Sequence, residues 1–433
     1  MGLTQRGPYN KPTLIMSFPE FQLIFGGYLD EGYGGYRYLP HAVEGFFQNG
    51  GQRVYVNRVA ASEDSETGRG SAGENNCALR VSDQNIIGED SGEARRRTGL
   101  CALSNVADIK IIAIPNGTSQ KIQDAMIEHC EQMRNRFAVL DPRKLATLDE
   151  IQGQRSLYDS RNAALYYPWI RIRDPATGEI LSIPPSGHIC GIYARNDAQR
   201  GAHKAPANEA IEGVLGPDLQ ISKAQQAILN PRGINCLREL SGRGLHVMGA
   251  RTTSNDPLWK YINVRRLFLF LEESIERGTQ WVVFEQNNEK LWARVKQTVS
   301  QFLTRVWRDG ALMGNTPEQA FFVKCDHTTM TREDVDKGRL IVLIGFAPLK
   351  QSEFVIFRIS QLAGGSARTQ RYSGSGNSKR RRKSDCGNKK FFLPFNNRES
   401  KIHIFHIAST KLSPFLPLIC SLNPSFSIHI SVS

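Results

Sequence analysis

"GLHVMGARTTSNDPLWKYINVRRLFLFLEESIERG", residues 244–278, joins three kinds of chain in direct succession. GLHVMGAR (244–251) is short and apolar in the manner of a strand. Asn255-Asp256-Pro257 interrupts it with turn formers. Val264, Leu267, Phe268, Leu271 and Ile275 then recur at helical spacing, with Asn263 placed as an N-cap and Gly278 as a stop. Strand, turn and amphipathic helix together predict the opening of an α+β domain. Between strand and helix lie Arg251, Asp256, Lys260, Tyr261, Arg265 and Arg266, beside Trp259. Such a density of ionisable groups suits a reactive cluster or the fixing point of a structural part. Two arginines in a first helical turn oppose the helix dipole. They are therefore expected to meet carboxylates, within the subunit or on a neighbour.

Downstream, Leu291, Val295, Phe302 and Val306 predict a second amphipathic helix over 288–309, followed by strands at 321–326, 339–348 and 353–361. Upstream, a strand in 107–117, a helix over 122–136 and a strand at 137–140 read as an α/β unit with a parallel pair. A strand at 166–174 and a helix from about 184 to 198, closed by Gly201, follow. Near the start, a strand at 12–17 leads into a short helix through Phe25, with Ser17 and Glu20 as a capping box. A helix over 39–51, stopped by Asn49-Gly50-Gly51, precedes a strand at 53–60. The expected organisation is an N-terminal part (1–60), an α/β region (61–240), an α+β domain (241–365) and a tail (366–433) without helical or strand order.

The net charge of +13 over 433 residues suggests a polyanion binder until it is mapped. Residues 366–433 hold 12 Lys/Arg against 2 Asp/Glu, so the remaining chain is almost balanced. Eight cysteines lie scattered without repeated short spacing, which suits reduced thiols in a cytoplasmic protein. The opening MGLTQRGPYNKP is polar, unlike a signal peptide, and no apolar run reaches the ~18 residues of a membrane helix.

Motifs for chemistry are sparse. GRGSAG (68–73) matches G-x-G-x-x-G, but a polar loop precedes it and a strand-like segment follows, which is the wrong context for a pyrophosphate-binding turn. No G-x-x-x-x-G-K-[ST] or G-x-S-x-G occurs. His188-x-Cys190 and Cys325-x-His327 do not have the spacing of structural zinc sites. Arg195, Asp197, Arg200, His203 and Lys204 crowd one segment without a nucleophile, as salt-bridged loops do. No catalytic, cofactor-binding or metal-ligating residue is assigned. Arg251, Lys260, Arg265 and Arg266, with Phe354, Val355, Ile356, Phe357, Arg358 and Ile359, are the candidates for a subunit interface.

PPSGHICGIYARNDAQRGAHKAPANEAIEGV (184–214), the stretch 228–292, GRLIVLIGFAPLKQSEFVIFRISQ (338–361) and FFQNGGQRVYVNRV (46–59) stand in a specific order. On these segments the chain, over about residues 7–365, resembles the sheath proteins of contractile phage tails and related injection systems. The resemblance implies a multi-domain sheath fold and a non-enzymatic, cofactor-free subunit. Such a subunit would polymerise helically around an inner tube and contract to drive the tube forward. It further implies assembly in the bacterial cytoplasm into a virion tail or injection particle. The implied partners are further copies, the tube protein, baseplate and terminator or cap proteins, and an AAA+ ATPase, with no membrane and no nucleic acid for the body. Chain termini would contribute strands to a sheet completed by neighbours.

Three departures accompany it. The extended arm expected ahead of Arg6-Gly7-Pro8 is absent, and Met248 stands where relatives often carry tryptophan. The basic, Ser-rich tail is unrelated and reads as a frameshift or read-through product. The alternative reading is an intracellular polyanion or nucleic-acid binder acting through the basic segment 368–390, which includes KRRRK (379–383).

Overall fold

A computed structural model describes residues 1–59, 81–350 and the backbone of 426–432. Its centre is a six-stranded mixed sheet. The spatial order is Ile111–Ala113, Phe137–Leu140, Ala163–Tyr167, Ile234–Leu240, Gly244–Val247 and Glu209–Ala210. The first four strands are mutually parallel, and the last two join antiparallel. Because parallel strands are covered on both faces, their residues form unbroken apolar runs. Phe137–Leu140 and Ala163–Tyr167 are buried at every position. Ala138, Leu140, Ala163 and Leu165 enter one core with the helix Gln120–Met133, whereas Phe137, Val139, Ala164 and Tyr166 enter another with the helix Ser186–Arg200.

The expected strand at 166–174 is two strands in two sheets. Ala163–Tyr167 belongs to the central sheet, and Ile170–Arg173 lies between Ile180–Ile183 and Gly216–Pro217 in a smaller one. The helices Leu148–Ser156 and Lys223–Leu229 were not expected, although each has a full capping box, Thr147 with Glu150 and Ser222 with Gln225. The helix Phe18–Phe25 starts at Ser17 as expected. The Ser17 oxygen accepts from the Glu20 amide, while the Glu20 carboxylate accepts from Met16 rather than from Ser17. Helix Leu39–Gln48 ends at Asn49, and Thr13–Ile15 pairs antiparallel with Val54–Val56.

Helix Leu39–Gln48 lies against Ser186–Arg200 across a seam of glycines. A Cβ on Gly187 would come within 2.4–2.5 Å of the Ala42 backbone, and one on Gly191 within 2.4 Å of the Phe46 carbonyl. At Gly187 and Gly191 the two helix backbones therefore come into direct contact.

The C-terminal part contains the helices Ile262–Gly278 and Glu289–Arg308 and a three-stranded sheet. In that sheet Leu340–Phe346 runs antiparallel to Phe321–Lys324 and parallel to Phe426–Val432. The last pairing corrects the expectation that the whole 366–433 tail lacks strand order. The hairpin of Ile234–Leu240 and Gly244–Val247 lies wholly within the central sheet. The chain therefore leaves the middle region after residue 247, beyond the expected boundary at 240. GRGSAG (68–73), the strand-like 353–361 and KRRRK (379–383) lie outside the described residues.

Candidate functional site

The charged segment 249–267 is a hairpin-like loop that joins the central sheet to the C-terminal part. Its base is closed by the backbone: Arg251 bridges Tyr261, the Ile262 amide donates to the Ala250 carbonyl at 3.1 Å, and the Thr252 amide to Lys260 at 3.0 Å. Its tip is a series of turns in which short polar side chains serve the backbone. The Thr252 hydroxyl donates to the Trp259 carbonyl and accepts from the Ser254 amide, and the Asp256 carboxylate accepts from Leu258. Asp159 accepts the Asn255 amide at 2.9 Å, and Thr253 donates its hydroxyl to Ser160. Such residues favour turns because their side chains compete for backbone groups.

Asn235, fully buried on the neighbouring strand, fixes the start of the loop. Its side-chain oxygen accepts from the Arg251 amide at 2.7 Å, and its amide donates to the carbonyls of Arg251 and Leu165. One side chain thereby ties two parallel strands to the exit of the loop. Sequence reading missed Asn235, whose partners lie 16 and 70 residues away.

Asn263 does not cap the helix. Tyr261 occupies the cap position with no side-chain bond, and Asn263, two residues further on, donates to the carbonyls of His203 and Leu349. Arg265 and Arg266 behave as expected in finding acidic partners, both within the chain. Arg266 donates both terminal nitrogens to the two oxygens of Asp197, and its guanidinium lies 4.7 Å from the centre of the Tyr193 ring. Burial works against its charge, but Asp197 outweighs it and holds the guanidinium above its usual pKa. Tyr193 in turn shares a 2.7 Å hydrogen bond with Tyr166 in the central sheet.

Arg265 is only 3% exposed and donates to the Asn162 side chain at 2.7 Å, with Glu272 at 3.7 Å. Burial lowers its pKa to about 10, and the Glu272 charge opposes that shift. Arg161 and Arg265 both approach the Trp259 ring, at 4.7 and 5.4 Å, and Trp259 meets Phe268 edge-on. Arg251 is also buried, while Lys260 is half-buried with its ammonium 5.0 Å from the Tyr261 ring. Phe354, Val355, Ile356, Phe357, Arg358 and Ile359 lie outside the described residues. The structure therefore brings together Arg251, Lys260, Arg265 and Arg266. Three of these four are internal ties, leaving Lys260 as the one with substantial exposure.

The second charged segment, 195–204, has the same character. Arg195 donates to the Ala210 carbonyl, Lys204 to Ala205, and Asn196 to Lys204, while Glu209 lies near both cations. The helix Ile262–Gly278 spans the joint these residues build. Ile262 and Leu269 pack in the core of the central sheet, and Val264, Leu267, Phe268, Leu271 and Ile275 in the C-terminal core.

Reactive chemistry has little to work with at this joint. Burial pushes the thiols of Cys190 and Cys236 up to about 12, far from thiolate reactivity. Among the described residues, no group of three or more His, Cys, Asp or Glu is arranged to hold a metal ion. His188 and Cys190 lie in one core region and Cys325 in another, so the two short His/Cys pairs do not meet. Among the described residues, no helix is long and apolar enough to cross a membrane.

Comparison with known proteins places the joint at a domain boundary. The phage tail sheath protein central domain matches residues 99–253, and the phage tail sheath C-terminal domain matches 254–361. The tail sheath protein of Escherichia phage P2 is 25% identical over 228 residues, covering 50% of this chain and 56% of that protein. A putative prophage major tail sheath protein of Pseudomonas aeruginosa (strain UCBPP-PA14) is 23% identical, covering 63% and 71%. Among solved structures, a chain of the anti-feeding prophage baseplate matches with a TM-score of 0.67 and 28% identity, over 83% of this chain and 90% of that one. The anti-feeding prophage helical sheath in its contracted state matches with a TM-score of 0.63 and 27% identity, over 83% and 94%.

Proposed function

Because this chain belongs to the phage tail sheath family, we propose that it is a structural subunit of a contractile sheath, polymerising helically around an inner tube and shortening to drive that tube through a target envelope. The observation that carries this reading is the likeness to a contracted helical sheath over most of both chains. The buried joint at 249–267 supports it: the most chemically suggestive side chains are consumed in holding two regions together.

The physical logic is that of a bistable polymer. Heterologous contacts that do not close on themselves generate helices. Two packings of one polymer, separated by a modest free energy per subunit, perform work when that difference is summed along the cylinder. Each subunit must transmit force without coming apart, and a helix packed into two cores and tied by buried ion pairs suits that demand. The proposed partners are further copies, a tube protein, baseplate and terminator proteins, and an AAA+ ATPase of the same system. The proposed setting is a phage tail or injection particle assembled in the bacterial cytoplasm.

The test is co-expression with the tube and baseplate proteins of a related contractile system, followed by negative-stain microscopy. Hollow cylinders that shorten and widen on mild denaturant treatment are expected. Uniform monomers at every concentration, with tubes left bare, would overturn the reading.

A further inference from the structure

The glycine seam between Leu39–Gln48 and Ser186–Arg200 also holds two histidines, one from each helix. His41 and His188 are both 2% exposed. The His188 ring lies directly over Gly45, where a Cβ would come within 2.1–2.6 Å of three ring atoms. That contact leaves no room for water between the ring and the facing backbone. The Nδ1 atoms of His41 and His188 are buried, and neither has a hydrogen-bond partner among the described residues. A neutral imidazole carries one N–H, whereas an imidazolium carries two and needs an acceptor for each. Protonating either ring therefore strands a donor inside the seam.

The surrounding charges single out His188. It stands in the first turn of its helix, where the backbone dipole repels a cation, and His41 across the seam opposes a second charge. His41 has a mixed setting: Arg37 works against its charge, but its Nε2 lies 3.3 Å from the Asp174 carboxylate. Glu44, which accepts from the Tyr28 hydroxyl, is raised by burial and so favours the closed seam in acid. Cys190 on the same helix stays a thiol, and the Met1 amine near it is bound to the Ala113 carbonyl of the central sheet. At the start of that helix Asp141, just after Phe137–Leu140, accepts from the Ser186 amide at 3.0 Å and hydroxyl at 2.7 Å. Burial lifts the Asp141 carboxyl to about 7, so acid favours this attachment. Acid thus weakens one contact of helix Ser186–Arg200 and spares its hold on the sheet.

We propose that the seam is an acid-sensitive latch, in which protonation of His188 releases Leu39–Gln48 from Ser186–Arg200 while the latter stays on the central sheet. Release bares Ala42 and Phe46, which are buried in the closed form. The latch rests on the seam alone and is independent of the polymer reading. Because burial lowers the His188 pKa to about 4, its contribution to the closed form is complete above about 6.5 and is lost as pH falls towards 4.

Hydrogen–deuterium exchange of the full chain between pH 7 and pH 5, corrected for the intrinsic rate at each pH, reads the latch. Opening of 39–48 should rise about twentyfold over that range, as expected for one histidine shifted from 6.5 to 4. Segments 186–200 and 289–308 should stay level. His188→Gln should remove most of the rise, and His41→Gln should leave most of it, because Asp174 already offsets that charge. A pH-independent opening of 39–48 would overturn the latch. So would a rise that survives in a His188→Gln variant with the parent's circular dichroism, or joint opening of 39–48 and 186–200. If His188→Gln does not fold, NMR titration of the His188 ring in the parent chain decides. A value well below the ordinary ~6.5 supports the latch, and a value near it rejects it.

Discussion

Arg266 is a cation buried in the second turn of the helix Ile262–Gly278, where loss of water opposes its charge. It is stable there because Asp197 meets it with both carboxylate oxygens and Tyr193 lies beneath the guanidinium. The two ends of the pair are not equivalent. The Asp197 side chain is about a third exposed, whereas that of Arg266 is 8% exposed. Removing the carboxylate strands a charge that water cannot reach; removing the guanidinium leaves one that water can solvate. Asp197→Asn is therefore expected to destabilise by about 3–5 kcal/mol, the cost of breaking a buried pair. Arg266→Met should cost less, because its stem volume is kept. Urea denaturation midpoints of the two variants check the order, and a larger loss for Arg266→Met would contradict it. Sequence reading saw both residues and expected arginine–carboxylate pairing, but it had no means of joining positions 69 residues apart. Asn235 and Asn162 were invisible for a similar reason, since nothing in a buried asparagine's local sequence announces which distant backbone it will serve.

At the scale of elements, the seam between Leu39–Gln48 and Ser186–Arg200 depends on backbone proximity. Ala42 presents its backbone to Gly187, so a methyl group at 187 has no flexible side chain to push aside. Gly187→Ala is expected to destabilise by about 1–3 kcal/mol through overpacking. Gly153 provides the contrast, lying within the helix Leu148–Ser156 with nothing within 4 Å of an added Cβ. Gly153→Ala should stabilise by about 0.5–1 kcal/mol through helix propensity. Thermal unfolding of the two variants should move in opposite directions; a shared sign would sink the seam argument. Elements with strong periodicity or clear stops were legible in advance, among them the helices Ile262–Gly278 and Glu289–Arg308 and the stop at Asn49. The break between Tyr167 and Ile170 was hidden because the aromatic end of one strand runs into the strand-like alternation of Ile170, Arg171, Ile172 and Arg173, and the chain simply changes sheets. Phe426–Val432 did carry a signal, its strict alternation, but the surrounding Ser-rich composition obscured it.

Across the whole molecule, buried ionisable groups set how the fold responds to acid, and they do not all act in one direction. Burial lowers the pKa values of His129 and His188 to about 4, and Arg136, whose guanidinium meets the His129 ring at 2.7 Å, adds to the effect at His129. An unfolded chain protonates these histidines near 6.5. Between about 6.5 and 4 the unfolded state thus holds more protons, and each histidine's contribution to stability is present above that window and lost as pH falls through it. Asp141 works oppositely. It is buried where helix Ser186–Arg200 begins, accepting from the Ser186 amide and hydroxyl and from the Asn116 amide, and burial lifts its carboxyl to about 7 despite those bonds. Its folded form retains a proton that the unfolded chain releases near 3.9, so its contribution is lost as pH rises towards 7. The total profile mixes both signs, and single variants are needed to separate them. His129→Gln keeps an acceptor for Arg136 while removing the titration. Relative to the parent chain, it should flatten the rise of stability between pH 4 and 6.5 by up to about 1.4 kcal/mol per pH unit. Asp141→Asn should steepen the same rise, whatever its absolute cost in lost hydrogen bonds. Urea denaturation at half-unit pH steps measures both slopes, and shifts of the same sign would show that burial does not control these two groups as their positions require.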